Sequence, residues 1–336
     1  MITEHDPQLL TGQQFLDAKP VFCCQLTGKG DKTALQPDSQ ASNAKPFWIH
    51  LDYQDKQTVE WIKNTQLLPD IAKTSLISKN QTAKSIRFDT HRGMLVVLKG
   101  VNITPGDQYD PIVTLRFYIT DNFILSTRHQ KINAINDLQL QLDKKIGPVD
   151  VADWLVQISE NLTNHANQAV ENIHDQVIKL EDYVLTQQRV MPHQEIGRVR
   201  RKLITLRRIL TPQRDTFIKI ATERLSWIDD NDRRHMHDIA TRLNHYIGDI
   251  DTCLLRLSSI LEQINAMFTE QMNKRIYIMS ILATIFMPLT FLASLFGVNL
   301  AGIPFTTHLW SFGVFSAILT VLGIMLSIWL KRKQWL

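Results

Sequence analysis

The side chains best placed for chemistry in this chain sit inside an apolar run. From Ile276 to Phe296 no residue carries a charge, and the run is long enough to cross a bilayer core of ~30 Å as an α-helix. With successive residues placed 100° apart, Ile276, Ser280, Ala283, Met287, Thr290 and Ser294 fall within an arc of roughly 80°. Ile278, Leu282, Ile285, Leu289, Leu292 and Phe296, all large and apolar, occupy the opposite side. A helix bathed in lipid on every side has no use for that division. A face of small and hydroxyl residues either packs against other helices or lines a water-filled path, and the stripe by itself leaves both readings open. Just beyond it, Gly297 is suited to releasing the backbone from helical geometry, and Asn299 offers a neutral amide oxygen at the mouth.

Phe296-Gly297-Val298-Asn299-Leu300 follows Met287-Pro288-Leu289-Thr290-Phe291-Leu292-Ala293-Ser294-Leu295 and lies between two C-terminal apolar runs. In that setting it resembles the GMN-type signature of the CorA superfamily of divalent-cation transporters. The central valine and the following Ala301-Gly302-Ile303-Pro304 look more like the zinc-transporting ZntB branch. Arg207-Arg208-Ile209-Leu210-Thr211-Pro212-Gln213-Arg214 resembles the RRxLxPxR segment of CorA-type proteins. The ending Lys331-Arg332-Lys333-Gln334-Trp335-Leu336 is similar to the basic, Trp-Leu-terminated tail common in the superfamily. By motif the resemblance covers residues 207–336; before that it is architectural. It implies a homopentamer with a cytosolic funnel on stalk helices. The first spans would line one axial pore and the second spans would lie outside them. Gly297, Val298 and Asn299 would form the entrance filter, with a ring of Asn299 holding a hydrated cation, and Zn2+ would be the transported ion.

One departure bears on selectivity. Many magnesium-transporting relatives carry an acidic residue after the signature, whereas Gly297 to His308 has none. That weakens electrostatic concentration of a strongly hydrated ion such as Mg2+. The alternatives are a Mg2+/Co2+ channel of the same type and, in a different class, a membrane-tethered oligomeric sensor or scaffold. An anchor needs neither the polar stripe nor the GVN terminus. ZntB relatives are thought to use protons, and His308 is the one conventionally titratable side chain in either span or the loop, apart from Tyr277. The expectation is that any pH effect on transport acts through His308 or the cytosolic histidines. His235 and His237 point to different faces of a helix, and His165 and His174 do not share one closely. Asp238, with Asp249 and Asp251, is a candidate for intersubunit metal binding, against the plain alternative of charged stalk residues facing water.

The elements that must hold these groups are legible in the pattern. Ile239, Leu243, Tyr246, Ile250, Cys253, Leu257, Ile260, Ile264 and Met267 recur at four-three spacing. Ile247, Leu254, Leu261 and Phe268 add a flanking stripe, so the helix touches more than one neighbour. With no breaker between Arg233 and Met287, stalk and first span read as one helix of roughly 64 residues, roughly 96 Å long. Pro288 within the span frees the carbonyl of Thr284. Asp229-Asp230-Asn231-Asp232 reads as turn and cap rather than cation site. Upstream helices are expected over Asp153–Gln187 and Pro192–Trp227, broken at Val190-Met191-Pro192, with a bend at Pro212. The basic face of the second, from Arg198 to Arg214, reads as solvated.

Residues 1–150 read as a cytosolic α+β domain with a mostly antiparallel sheet. Strands are expected at Val21–Leu26, Pro46–Tyr53, Ser85–Phe88, Met94–Asn102, Ile112–Thr120 and Phe123–His129, and helices at Lys56–Gln66, Pro69–Ser78 and Lys131–Lys145. Residues 151–275 supply the stalk and flanking helices, and 276–336 the membrane domain with spans 276–296 and 309–330. Lys274 and Arg275 before the first span, and Lys331, Arg332 and Lys333 after the second, place both termini in the cytoplasm of a bacterial-type inner membrane. The opening MITEHDPQLL has no signal-peptide core, and three cysteines without zinc-ribbon spacing suit a reducing compartment. A net charge of +4 is too small and dispersed for nucleic acid; membrane lipid is the expected partner of the basic residues beside it. No stretch assembles a nucleophile, base or phosphate loop, so neither an enzyme nor a resident cofactor is expected.

Overall fold

The computed structural model describes residues 10–79, 81–89, 92–102, 112–187, 193–297 and 310–332. In chain order these form α1 (Gly12–Leu16), β1 (Phe22–Leu26), β2 (Lys32–Ala34), β3 (Phe47–Asp52), α2 (Lys56–Asn64), α3 (Asp70–Leu76), β4 (Lys84–Phe88), β5 (Gly93–Val101), β6 (Ile112–Ile119) and β7 (Phe123–Arg128). Then come α4 (Asn133–Asp143), α5 (Val151–Gln187), α6 (His193–Thr222), α7 (Asp230–Phe296) and α8 (Ser311–Arg332). Two compact units result, Met1–Ser258 and Ser259–Leu336, with α7 contributing to both. A boundary at residue 150 falls inside the first unit, because α5 and α6 pack onto strands of the sheet.

The first unit is built on one seven-stranded sheet of order β2-β1-β3-β7-β6-β5-β4. All neighbours are antiparallel except β3 and β7, so the expected mostly antiparallel α+β domain is present. Asp121-Asn122 turns β6 into β7, with the Thr120 and Phe123 backbones paired at 3.0 Å. The central strands are buried on both faces and carry near-continuous apolar runs. Side chains alternate across the sheet: Phe47, Ile49 and Leu51 enter a core with Phe15, Ile62, Leu76 and Phe123, while Trp48 faces Trp154 of α5 at 5.4 Å. Trp154 also meets Phe117 edge-on at 5.1 Å.

The short α1 and β2 were not expected; each is under six residues, too short to show periodicity. The α6 helix stops at Thr222 rather than Trp227. From Glu223 to Asp229 the backbone is held instead by Arg233, which donates to the carbonyls of Glu223 and Ile228 at 3.1 and 2.8 Å. Trp227 donates its indole N–H to Arg92 O at 3.1 Å. The expected break at Val190-Met191-Pro192 lies outside the described residues. Pro212 sits within an unbroken helix.

The α7 helix runs 67 residues without interruption, as the absence of breakers implied. Its start is a reciprocal cap: Asp229 accepts from Asp232 N at 2.8 Å, and Asp232 accepts from Asp229 N at 3.1 Å. That backbone bond holds the Asp229 carboxyl below its usual range, whereas burial pushes Asp232 up to about 6. On the heptad face Ile239, Leu243, Ile250, Cys253, Leu257, Ile260 and Ile264 are buried, and Tyr246 and Met267 are half-buried. Within the first unit, three ion pairs fasten α7 to its neighbours: Arg207–Asp251 at 2.7 Å, Arg242–Glu160 at 2.9 Å and Arg256–Glu181 at 3.7 Å.

Beneath the sheet, His50 and Ser126 share a hydrogen bond of 2.8 Å, and Trp48 donates to the same hydroxyl at 3.0 Å. Burial, then Arg128, lowers the His50 pKa from 6.5 to about 3. The native state therefore keeps His50 neutral where the unfolded chain takes up a proton. Stability should be intact above pH 6.5 and fall below it by about 1.4 kcal/mol per pH unit at most. Thermal unfolding of the wild type and His50→Gln between pH 7 and 4 checks this: the variant starts less stable but loses stability with a shallower slope.

Candidate functional site

The described part of the site is the lipid-length end of α7 together with α8. Both helices are long and apolar enough to cross a membrane, and none of the most apolar window of α7 is buried. The core helix of a soluble domain would be mostly covered. Two such helices, left bare by their own chain, require another apolar environment.

The α8 helix covers one strip of α7. Ile281, Ile285, Pro288, Leu289 and Leu292 are half-buried. Phe296 contacts Phe315 at 5.1 Å between ring centroids. At Gly323 of α8 there is room for little more than a methyl group, since a Cβ there would stand 3.5 Å from Leu289 Cδ1. This strip lies opposite the small and hydroxyl stripe, as the periodicity implied. Ile278, Leu282 and Phe296, which periodicity also assigned to the covered side, stay exposed at 50%, 43% and 49%.

The stripe itself is uncovered throughout. Ile276, Ser280, Ala283, Met287, Thr290 and Ser294 are all exposed, with Met287 at 77%. Among the described residues, the hydroxyls of Ser280, Thr290 and Ser294 have no hydrogen-bond partner, while Thr284 returns its own to Ser280 O at 2.8 Å. The three hydroxyls remain available to another helix or to water.

The helix ends at Phe296, as expected, and Gly297 follows it in a turn. It is not in the left-handed region; its N–H donates to Ala293 O at 3.0 Å and Ser294 O at 3.2 Å, closing a last tight turn. A Cβ at this position would lie 3.0 Å from Ala293 O, so space at the helix end, not positive φ, favours glycine. Val298, Asn299 and His308 lie outside the described residues.

Elsewhere, no group of three or more His, Cys, Asp or Glu able to hold a metal forms among the described residues. Asp238 and Asp249 are exposed on α7, and Asp251 is taken by Arg207. His165 pairs with Asp137 at 2.6 Å.

The profile of the family described as "CorA-like Mg2+ transporter protein" matches residues 43–332. The chain belongs to that CorA-like family. A relative called "Zinc transport protein ZntB" from Yersinia pseudotuberculosis is 39% identical over 328 residues, covering 98% of this chain and 99% of the relative. Among solved structures, the full-length CmaX protein superposes with a TM-score of 0.81 at 24% identity, covering 94% of this chain and 98% of that one. The complete CorA magnesium transporter from Methanocaldococcus jannaschii gives 0.80 at 19% identity, covering 94% and 99%. At these identities the structures attest the CorA-like fold.

Sequence reasoning missed a cavity of about 650 Å³ in the first unit, lined by Tyr53, Lys79, Lys99, Arg116, His129 and Arg208 among others. These residues are scattered over some 155 positions of the chain, so no local spacing announces them.

The packing strip gives a direct test. Gly323→Ala should leave the folded protein intact, because its methyl meets Leu289 at ordinary contact distance. Gly323→Leu should overpack the strip and cost about 1–3 kcal/mol, read as a lower unfolding temperature in detergent.

Proposed function

We propose that this chain transports divalent metal cations across a membrane, with Zn2+ as the principal substrate. The identity of 39% to a ZntB over nearly the whole of both chains supports zinc; so does the absence of an acidic residue from Gly297 to His308. Function as a transporter rather than an enzyme follows from the family.

The observation that carries the mechanism is the divided surface of α7. One strip is covered by α8, and the opposite stripe of Ile276, Ser280, Ala283, Met287, Thr290 and Ser294 is left bare, its Ser280, Thr290 and Ser294 hydroxyls without a partner among the described residues. In a closed ring of identical chains, each stripe faces the axis and each α8 lies outside. Five copies, as in the resemblance to CorA proteins, make a homopentamer with one axial pore. Hydroxyls and amide oxygens along it replace part of an ion's hydration without fixing it as a charged ligand would. Gly297, Val298 and Asn299 form the outer filter, where five Asn299 oxygens hold the hydrated cation. Lys274, Arg275, Lys331 and Arg332 set both termini on the cytoplasmic side. His308 is the titratable group assigned to proton coupling.

The test is ion uptake into liposomes carrying the purified protein, with Zn2+ and Mg2+ run in parallel and a pH gradient imposed or collapsed. Zn2+ flux should exceed Mg2+ flux, and Asn299→Ala should lower it about tenfold or more, the cost of one lost favourable contact set. Mg2+ flux indifferent to the gradient would replace this reading with a magnesium channel of the same fold. A His308→Ala variant with unchanged pH dependence would remove His308 from the coupling. Cysteines at Ser280, Thr290 and Ser294 should react with a water-soluble thiol reagent, and cysteines at Ile285 and Leu292 should not; equal labelling would place the pore elsewhere.

A further inference from the structure

Among its described lining residues the cavity in the first unit carries cationic side chains on one side. Lys79, Lys99, Arg116 and Arg208 line it together with His129, and no Asp or Glu appears among its described lining residues. Its volume of about 650 Å³ lies within the ~300–1,000 Å³ common for small-molecule sites.

Arg116 is the unusual member. It is the one fully buried arginine among the described residues. Its guanidinium donates to Lys79 O at 2.9 Å and Thr114 O at 3.4 Å, and lies 5.1 Å over the Tyr53 ring. Its Nε has no hydrogen-bond partner. Arg87, Arg128, Arg207, Arg214, Arg233, Arg242 and Arg256, all more exposed, each pair with a carboxylate. Among the described residues the deepest guanidinium has none. A buried cation held by two carbonyls and a ring is under-compensated, and burial lowers its pKa accordingly. Next to the lining Pro212, buried Gln213 lends Oε1 to the Lys99 N–H at 2.7 Å and leaves Nε2 unpartnered.

The remaining walls are apolar and aromatic. Ile209 and Pro212 face the cavity from α6, and Tyr53 stacks on His129 at 5.3 Å with a 17° tilt. Arg208, Ile209 and Pro212 all come from the Arg207–Arg214 segment picked out in the sequence.

We infer that this cavity binds a small phosphate monoester, its phosphate drawn to the Arg116, Lys79 and Arg208 side and its organic body against Tyr53, Ile209 and Pro212. A dianionic phosphate held by the exposed Lys79 and Arg208 supplies countercharge to the enclosed Arg116 behind them, and offers the acceptors that the Arg208 fork recognises. The half-apolar wall selects an ester over the bare ion.

The experiment is titration calorimetry on the full-length protein in detergent at fixed ionic strength, with AMP, glycerol 3-phosphate and inorganic phosphate as separate probes. A monoester should bind saturably and more tightly than inorganic phosphate. Lys79→Gln and Arg208→Gln, both at exposed positions, should each weaken it about tenfold while leaving the ligand-free unfolding temperature unchanged. Arg116→Gln should abolish binding; because Arg116 is buried and that variant can fail to fold, the two exposed variants decide. Preference for AMP identifies a soluble nucleotide-like ligand and preference for glycerol 3-phosphate a lipid-headgroup fragment, and either upholds the site. No saturable binding at millimolar concentration, equal binding of inorganic phosphate, or full affinity in both exposed variants overturns it.

Discussion

The structure depends on a surface that its own chain cannot cover. The last third of α7 is apolar over a bilayer's length, and α8 shields one strip of it. An α-helix satisfies its own backbone hydrogen bonds, so such a segment is stable in lipid, but its side chains still need neighbours on every face. Lipid suits the large apolar side chains. It does not suit the hydroxyls of Ser280, Thr290 and Ser294, which have no partner among the described residues. The proposed ring of copies around a wet axis would meet both requirements together.

The soluble unit solves the opposite problem, and does so alone. Its sheet is covered on both faces, with Trp48, Phe117 and Trp154 interlocked on one side and Phe15, Phe47 and Phe123 on the other. Such a core is rigid because each ring fills space that no other rotamer fills. Polar groups caught inside are handled by local networks, as with His50, Ser126 and Trp48. Arg116 is a full charge enclosed without a carboxylate partner among the described residues. Along α7, ion pairs to α5 and α6 are at least a third exposed and contribute little each; the buried heptad face holds these helices together.

Much of the architecture was legible from local pattern. The strands β3 to β7 and helices α2 to α5 fall within a few residues of their hydrophobic runs, because burial of one face forces a period on the sequence. The uninterrupted α7 followed from a four-three apolar pattern that runs on through Gly248, with Pro288 accommodated inside the helix, and its aspartate start from the capping preference of the side chain. Helix ends were less legible. Nothing local distinguishes Thr222 from Trp227 as the last residue of α6; the Arg233 side chain, arriving from the next helix, competes for the carbonyls there.

What the sequence alone determined is the one-dimensional part: two lipid-length helices, a stripe of small and hydroxyl residues on the first, and the Gly297-Val298-Asn299 segment after it. These are set by residue type and by a 100° step, which require no knowledge of the fold. The tertiary structure decided what depends on residues distant in the chain. It chose the strip that α8 covers and left the stripe bare, gave Gly297 a steric rather than a conformational reason, and assigned Asp251 to Arg207. It also brought Lys79, Arg116 and Arg208 to one cavity from a loop, a strand and a helix. Charge spacing in sequence carries no information about that meeting, because sheet order and helix docking, not periodicity, bring those three cations together.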